Sequence, residues 1–345
     1  MYPLKYDEET CLKCETIDCL TRCQYLSLDL DRAREERHKI LRGEASHVLK
    51  DCVTCYACEE YCPQGNHPFY LIVDRQEQLG IWPVPVPLTK QQVVMMAPRG
   101  KISPEKVHAP VVNLCYFPML KDTVRGKLFD GASAVVGSDI FCNIMWLHFA
   151  KSSVIRERVP RMIRNLWDHY LKESGVDEVV CYHDECFATY TQLAPAFGME
   201  VPFKAIHLFE FLTRRLDALK DHIRPLGLKV AYQRPCSNRL IPETQPWVDE
   251  IFQRIGVERV EREYDRENAL CCGGVFRIQQ REELADDVLT RNLDDMKAAG
   301  ANVCVFNCPF CFLAMGEAAA HAGLMPLMMS ELCHFALGEG KVMGG

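Results

Sequence analysis

No stretch of 18 apolar residues occurs in this chain, so no helix is expected to span a membrane. The opening residues, MYPLKYDEET, are acidic and contain no apolar core, so no secretory leader is expected. Positive charge is also scarce. The net charge is −7 and no basic stripe or interleaved aromatic run appears, which argues against nucleic acid as a partner. No flavin or nucleotide fingerprint is evident, so chemistry of that kind has to come from another polypeptide. With 25% charged and 48% hydrophobic residues the composition is otherwise ordinary, and 345 residues suffice for roughly two or three domains.

Cysteine is what the chain has in excess. There are nineteen, an odd number, and most sit in tight groups. A long chain without a leader and with clustered thiols is expected to bind metal or do redox chemistry, not to form disulfides. The expected location is cytoplasmic, with any membrane association made through a partner.

The second cysteine group, Cys52-x2-Cys55-x2-Cys58-x3-Cys62-Pro63, is the bacterial ferredoxin run with its closing proline. The first, Cys11-x2-Cys14-x4-Cys19-x3-Cys23, has two extra residues in one interval and Gln24 in place of the proline. Zinc also uses Cys-x2-Cys pairs, but a three-cysteine run at two-residue spacing is unusual for it. By resemblance to two-cluster ferredoxins, in which the fourth cysteine of each run crosses over, Cys11, Cys14, Cys19 and Cys62 would hold one cubane [4Fe–4S] cluster. Cys52, Cys55, Cys58 and Cys23 would hold the other. The residues between the groups are charged, helix-favouring and closed by Gly43, which implies an α-helical ferredoxin domain over 1–82. Pro83, Pro85 and Pro87 then predict a stiff, extended linker over 83–106.

Beyond it, short apolar strands alternate with amphipathic helices, the pattern of an α/β fold. Strands are expected at Pro110–Leu114, Ala134–Val136, Glu178–Cys181, Lys229–Ala231 and Asn302–Phe306. Helices are expected at Val159–Glu173, His207–Leu219 and Glu283–Ala299. This region repeats itself. VDEVVCYHDECFATY (176–190) aligns with GANVCVFNCPFCFLAM (300–315), each preceded by a charged helix ending at Gly175 or Gly300. Cys115 aligns with Cys236, and Cys142 with Cys271 and Cys272. The fold class is therefore α+β and multi-domain: a helical ferredoxin domain, then two pseudo-repeated α/β domains at 107–225 and 226–345.

Cys236, Cys271-Cys272-Gly273-Gly274 and Cys308-x2-Cys311 form a further set. Adjacent cysteines strain a tetrahedral zinc site but suit a multi-iron group, and the glycines permit close approach and positive φ. The set resembles the CCG domain of heterodisulfide reductases, which also occurs in the iron–sulfur subunits of glycolate and lactate oxidases. The whole arrangement is similar to the combined catalytic subunit of membrane-type heterodisulfide reductase. That resemblance implies a noncubane [4Fe–4S] cluster on Cys236, Cys271, Cys272, Cys308 and Cys311, which cleaves or forms a disulfide in one-electron steps. It also implies a flavoprotein or b-type cytochrome partner, and a small disulfide or a thiol carrier protein as substrate. Two further readings are an iron–sulfur subunit of a flavin-dependent 2-hydroxyacid oxidase and a pure electron-transfer adaptor.

The first repeat departs from the pattern, with Phe141-Cys142 for the cysteine pair and His183-x2-Cys186 for Cys308-x2-Cys311. Cys115, Cys142, His183 and Cys186 form either a smaller metal site or remnants lining a substrate pocket. The second reading is preferred, since short motif matches arise by chance. Cys181, Cys304 and Cys333 match no ligand position, and Cys181 and Cys304 are expected in the core. Met95-Met96 and Met328-Met329 are read as packing residues, His67 as a cap or surface residue, and Arg32–His38 as a solvated helix face. Arg234, Arg239 and Arg277 flank the CCG cysteines, either to neutralise an anionic substrate or cluster charge or merely to face solvent.

Overall fold

The stretch between the two ferredoxin-like cysteine groups is a helix, Leu30–Arg42, because local chemistry stops both its ends. Asp29 caps the start by accepting from the Arg32 amide, and Gly43 (φ 70°) closes it in the left-handed conformation. Its charged face is not all solvated: Glu36 and Arg37 are buried. Glu36 accepts from the Val48 amide, and Arg37 donates to the carbonyls of Cys11 and Cys14 at 2.8 and 2.7 Å. A sequence window cannot show this, since both partners come from other segments.

The computed structural model describes residues 6–97 and 106–340. The prolines after residue 82 do not make an extended linker throughout. Val86–Met95 is helical, with proline in its first turn, where a missing amide hydrogen costs nothing. Residues 98–105 of the expected linker lie outside the described residues.

Eight strands follow: β1 (Val111–Asn113), β2 (Ser133–Val135), β3 (Glu178–Cys181), β4 (Lys204–His207), β5 (Lys229–Gln233), β6 (Glu258–Arg259), β7 (Val303–Phe306) and β8 (Met325–Met328). They form two four-stranded parallel sheets, ordered β2-β1-β3-β4 and β6-β5-β7-β8. In the first, Val112 pairs with Ala134 and Val180; in the second, Cys304 pairs with Ala231 and Pro326. The strand order is the same in both, so the repeat seen in the sequence is a repeat of topology. Gly175 (φ 65°) and Gly300 (φ 76°) occupy equivalent turns before β3 and β7.

Strands β4, β6 and β8 are additions to the expected set. β6 is two residues long, β4 begins on an exposed lysine, and β8 contains Pro326, tolerated because β8 is an edge strand. The helix expected at Val159–Glu173 begins earlier, at Ser152, and carries Pro160 inside it before widening into a π-turn at Trp167–Leu171. Its start is held by Glu77, which accepts from Ser152 Oγ and the Ser153 amide at 2.8 and 3.0 Å. One continuous core joins both sheets to Val53, Tyr56, Phe69 and Val84 of the N-terminal region. Cys181, Cys304 and Cys333 are buried in it, as are Met328 and Met329.

Candidate metal centres

Each N-terminal cysteine group lies on a loop that coils through left-handed residues, Ile17 (φ 51°) in the first and Thr54 and Tyr56 (φ 57° and 63°) in the second. Short helices follow, Asp18–Thr21 and Ala57–Tyr61. Cys62 lines the same small cavity as Cys11, Cys14 and Cys19. Cys23 lies near enough to Cys52 and Cys55 to interact with both electrostatically, and Cys58 faces that pair. Burial first, and repulsion from neighbouring thiolates second, pushes Cys52 up to about 12 and Cys55 up to about 11. Thiols so placed ionise only if a cation arrives with them, which fits an iron-bearing group. His67 precedes the helix Pro68–Leu79, its Nδ1 2.9 Å from the buried Glu59 carboxylate.

The five C-terminal cysteines converge from separate segments at the carboxyl edge of the second sheet. Cys236 follows β5, Cys271 and Cys272 lie in the loop after β6, and Cys308 and Cys311 begin the helix Pro309–His321 after β7. Cys272 contacts Cys271 and Cys311, Cys308 contacts Cys311, and Cys236 faces Cys272 and Cys308. Hydrogen bonds from Cys271 and Cys311 hold the Cys272 thiol well below its ordinary value. Gly273 has φ 80°, and a Cβ there would sit 3.0 Å from the Ala285 carbonyl oxygen. At Gly274 a Cβ would be 3.2 Å from Ala314 Cβ and 3.6 Å from Cys272 Sγ. Glycine is thus required sterically at the first position and favoured at the second.

The two regions meet closely. Cys55, Cys236 and Cys271 line one small cavity with Tyr25, Arg234 and Arg239, and the Cys271 amide donates to Tyr25 Oη at 3.0 Å. Arg234 and Arg239 both donate to Glu60, at 2.8 and 2.7 Å to Oε2. They are therefore committed to the helix that follows the second ferredoxin-like loop and do not face solvent. Arg277 is at the surface, paired with Glu282 and Asp286. His148 was missed by sequence reasoning, because a histidine within the apolar stretch Ile144–Phe149 carries no local signal. It is buried, with Nδ1 3.0 Å from Thr54 Oγ1 and Nε2 3.8 Å from Cys236 Sγ. Burial pushes its pKa down to about 4, so it is neutral near pH 7.

In the first repeat, Cys115 (φ 57°) follows β1, Cys142 follows β2, and His183 caps the helix Asp184–Ala188 after β3. Cys115, His183 and Cys186 place one donor atom each within 4.8 Å of one another. Cys142 joins them: its amide donates to Cys115 Sγ at 3.3 Å, and its thiol contacts Cys115 and Cys186. Burial works against ionisation of Cys115, but hydrogen bonds from Cys142 and Cys186 outweigh it and hold the thiol at about 5. Asp184 ties the two repeats together by accepting from Asn238 Nδ2 at 2.5 Å and Asn307 Nδ2 at 2.8 Å, the neighbours of Cys236 and Cys308. Nearby, Met95, Met96, Tyr116, Phe117, Phe310 and Leu313 help line an apolar cavity of about 1000 Å³. Met95 is 54% exposed and is cavity wall, whereas Met96 is half-buried and packs against the core as expected.

Residues 230–316 match the cysteine-rich domain family CCG, an interval that contains all five C-terminal cysteines. This part of the chain is a CCG cysteine-rich domain. It is 23% identical over 322 residues to EtfAB:quinone oxidoreductase of Syntrophomonas wolfei subsp. wolfei, covering 80% of this chain and 44% of that protein. It is 29% identical over 147 residues to a polypeptide of the dihydromethanophenazine:CoB–CoM heterodisulfide reductase of Methanosarcina acetivorans, covering 41% of this chain and 36% of that protein. The chain thus matches less than half the length of either curated relative. A crystal structure of a hypothetical protein from Helicobacter pylori shares the fold, with a TM-score of 0.55 at 9% identity over 90% of this chain and 66% of the other. Among the described residues, no helix is long and apolar enough to cross a membrane.

Proposed function

We propose that this iron–sulfur redox subunit reduces, or in reverse forms, a disulfide at the five-cysteine site, with electrons entering through an N-terminal ferredoxin domain. Cys11, Cys14, Cys19 and Cys62 would hold one cubane [4Fe–4S] cluster, and Cys52, Cys55, Cys58 and Cys23 the other. Cys236, Cys271, Cys272, Cys308 and Cys311 would hold a noncubane [4Fe–4S] cluster. When bound, these groups supply single electrons and an iron site for sulfur. The observation that carries the reading is the convergence of five thiols at one sheet edge against Cys55 of the second ferredoxin-like loop.

The protein's own residues prepare that site. Glu60 fixes Arg234 and Arg239 beside Cys55, where the charge of Arg239 offsets that of the Cys55 thiolate. Neutral His148 fills the space between Thr54 and Cys236 without adding charge. The apolar cavity lined by Phe117 and Phe310, the latter between Cys308 and Cys311 in sequence, would be where a sulfur substrate approaches. A flavoprotein or cytochrome partner would deliver the electrons, and the disulfide would be a small molecule or part of a carrier protein.

Anaerobically purified protein should contain about twelve irons per chain, on three four-iron groups. Oxidation in the presence of a thiol should produce a paramagnetic signal. Cys272→Ser should abolish that signal and disulfide reduction while leaving the ferredoxin-type signals intact. About eight irons and no thiol-dependent signal would refute the reading. A pure electron relay is the second reading. It draws on the relative named for an electron-transfer flavoprotein and a quinone, whose name mentions no disulfide.

A further inference from the structure

Building on the cubane reading of Cys23 and Cys55, we propose that Tyr25 is a positioning residue at the junction of the two iron-bearing regions. It ties the Cys271 loop to the N-terminal region and donates its phenol hydrogen to sulfur at the Cys55 side of the junction.

Tyr25 comes two residues after Cys23, yet its side chain is spent on the second repeat. The Cys271 amide donates to its phenol oxygen at 3.0 Å. Its ring meets Phe276 edge-on, with centroids 5.2 Å apart. Phe276 belongs to the helix Gly274–Ile278, which follows the Cys271-Cys272-Gly273 turn. Gln24 makes a second attachment, its Nε2 donating to the Asn268 carbonyl at 2.7 Å. Gln24 stands where the ferredoxin run ordinarily closes with proline, and a proline side chain has no group that could make this bond. The departure from the motif thus has a structural use. Residues 24 and 25 clasp the N-terminal region to the loop that carries Cys271.

The phenol hydrogen gives the clasp a chemical consequence. A backbone amide can only donate, so the phenol oxygen accepts from Cys271 and its own hydrogen is still to be given. Tyr25 lines a small cavity with Cys55, Cys236, Cys271, Arg234 and Arg239. The arginine side chains only donate, and the Ala269 and Leu270 carbonyls there accept from Arg239 and Gln233. Among the residues lining the cavity, the acceptors left are sulfur and Gln24 Oε1, which is buried without a partner. Charge favours sulfur. Burial, and then negative charge on Cys55 and Cys271, push the phenol well above its ordinary value. It therefore keeps its hydrogen, and those two residues are the anions that act on it. An O–H···S bond to a thiolate is charge-assisted. It stabilises the more negative, reduced state of an iron–sulfur group and so raises its potential. Cys55 acts on the phenol more strongly than Cys271 does, so the effect falls on the group that Cys55 would hold.

Reductive titration of the anaerobically purified full-length protein, followed by electron paramagnetic resonance, tests this in Tyr25→Phe. That variant keeps a ring against Phe276 and loses only the hydroxyl. Its iron content should be unchanged. One of the two ferredoxin-type signals should move to lower potential while the other stays. In wild type exchanged into heavy water, the same signal should show a coupled deuteron that Tyr25→Phe lacks. Gln24→Ala removes the neighbouring attachment but no donor to sulfur, and should leave both potentials in place. Unmoved potentials in Tyr25→Phe would overturn the proposal. So would an equal shift in Gln24→Ala, since loosening of the segment would then be the cause. Loss of iron from Tyr25→Phe would also overturn it, by making the residue structural. A wild type without ferredoxin-type signals would refute the cubane reading and the proposal with it, whereas normal wild-type signals with unmoved potentials refute the proposal alone.

Discussion

Glu60 is an acid whose partners are two buried arginines, and that determines what its loss would do. Arg234 and Arg239 side chains are 1% and 4% exposed, and both donate to it. Removing one member of a buried ionic group leaves uncompensated charge in a low-dielectric interior. Glu60→Ala is therefore expected to cost about 3 kcal/mol, read as a lowered chemical-denaturation midpoint; Glu60→Gln should recover part of it. Asp184 is a second such residue. Although burial opposes its ionisation, the His207 ring 3.4 Å away and hydrogen bonds from Asn307 and Asn238 hold it down at about 2. A depressed carboxyl stabilises the fold above its unfolded value of about 4, and that contribution fades as pH falls towards the folded value. The wild-type denaturation midpoint should therefore drop between about pH 5 and about pH 3, with a smaller drop in Asp184→Asn, which should already be less stable at neutral pH.

At the level of elements, the sequence was most legible where structure is set locally. The helix Leu30–Arg42 is written in Asp29 and Gly43, and β3 and β7 in their apolar runs before a cysteine-bearing turn. The cysteine loops were legible because their thiols recur at short, regular spacing within a few residues of one another. What stayed hidden depends on distant partners. The start of the helix at Ser152 relies on Glu77, and His148 gains meaning only from Thr54 and Cys236. The proline-rich stretch misled because Pro87 opens a helix as readily as it stiffens a coil. The turn at Gly273 gives a prediction at this scale. Gly273→Ala places a Cβ at φ 80° against the Ala285 carbonyl and should cost on the order of 1–2 kcal/mol. The loop carrying Cys271 and Cys272 would shift, so iron content should fall by about four per chain while the ferredoxin-type signals persist.

Across the whole molecule, the N-terminal helical region does not ride on the rest by a flexible tether. Tyr56, Phe69 and Val84 belong to the same core as both sheets, and Gln24 and Tyr61 donate to the carbonyls of Asn268 and Glu267. A fragment beginning near residue 106 would expose that apolar surface. It is expected to bind a hydrophobic dye and to unfold well below the full chain, as measured by dye fluorescence during heating. Asp184 also has no mirror image. Its counterpart in the second repeat is Pro309, and the positions matching Asn238 and Asn307 in the first are Phe117 and Tyr182. Two copies on separate chains would have to change in lockstep, because each mutation would appear on both sides of the dyad. Joined end to end in one chain, matching positions are free to differ, as where Phe141-Cys142 stands against Cys271-Cys272.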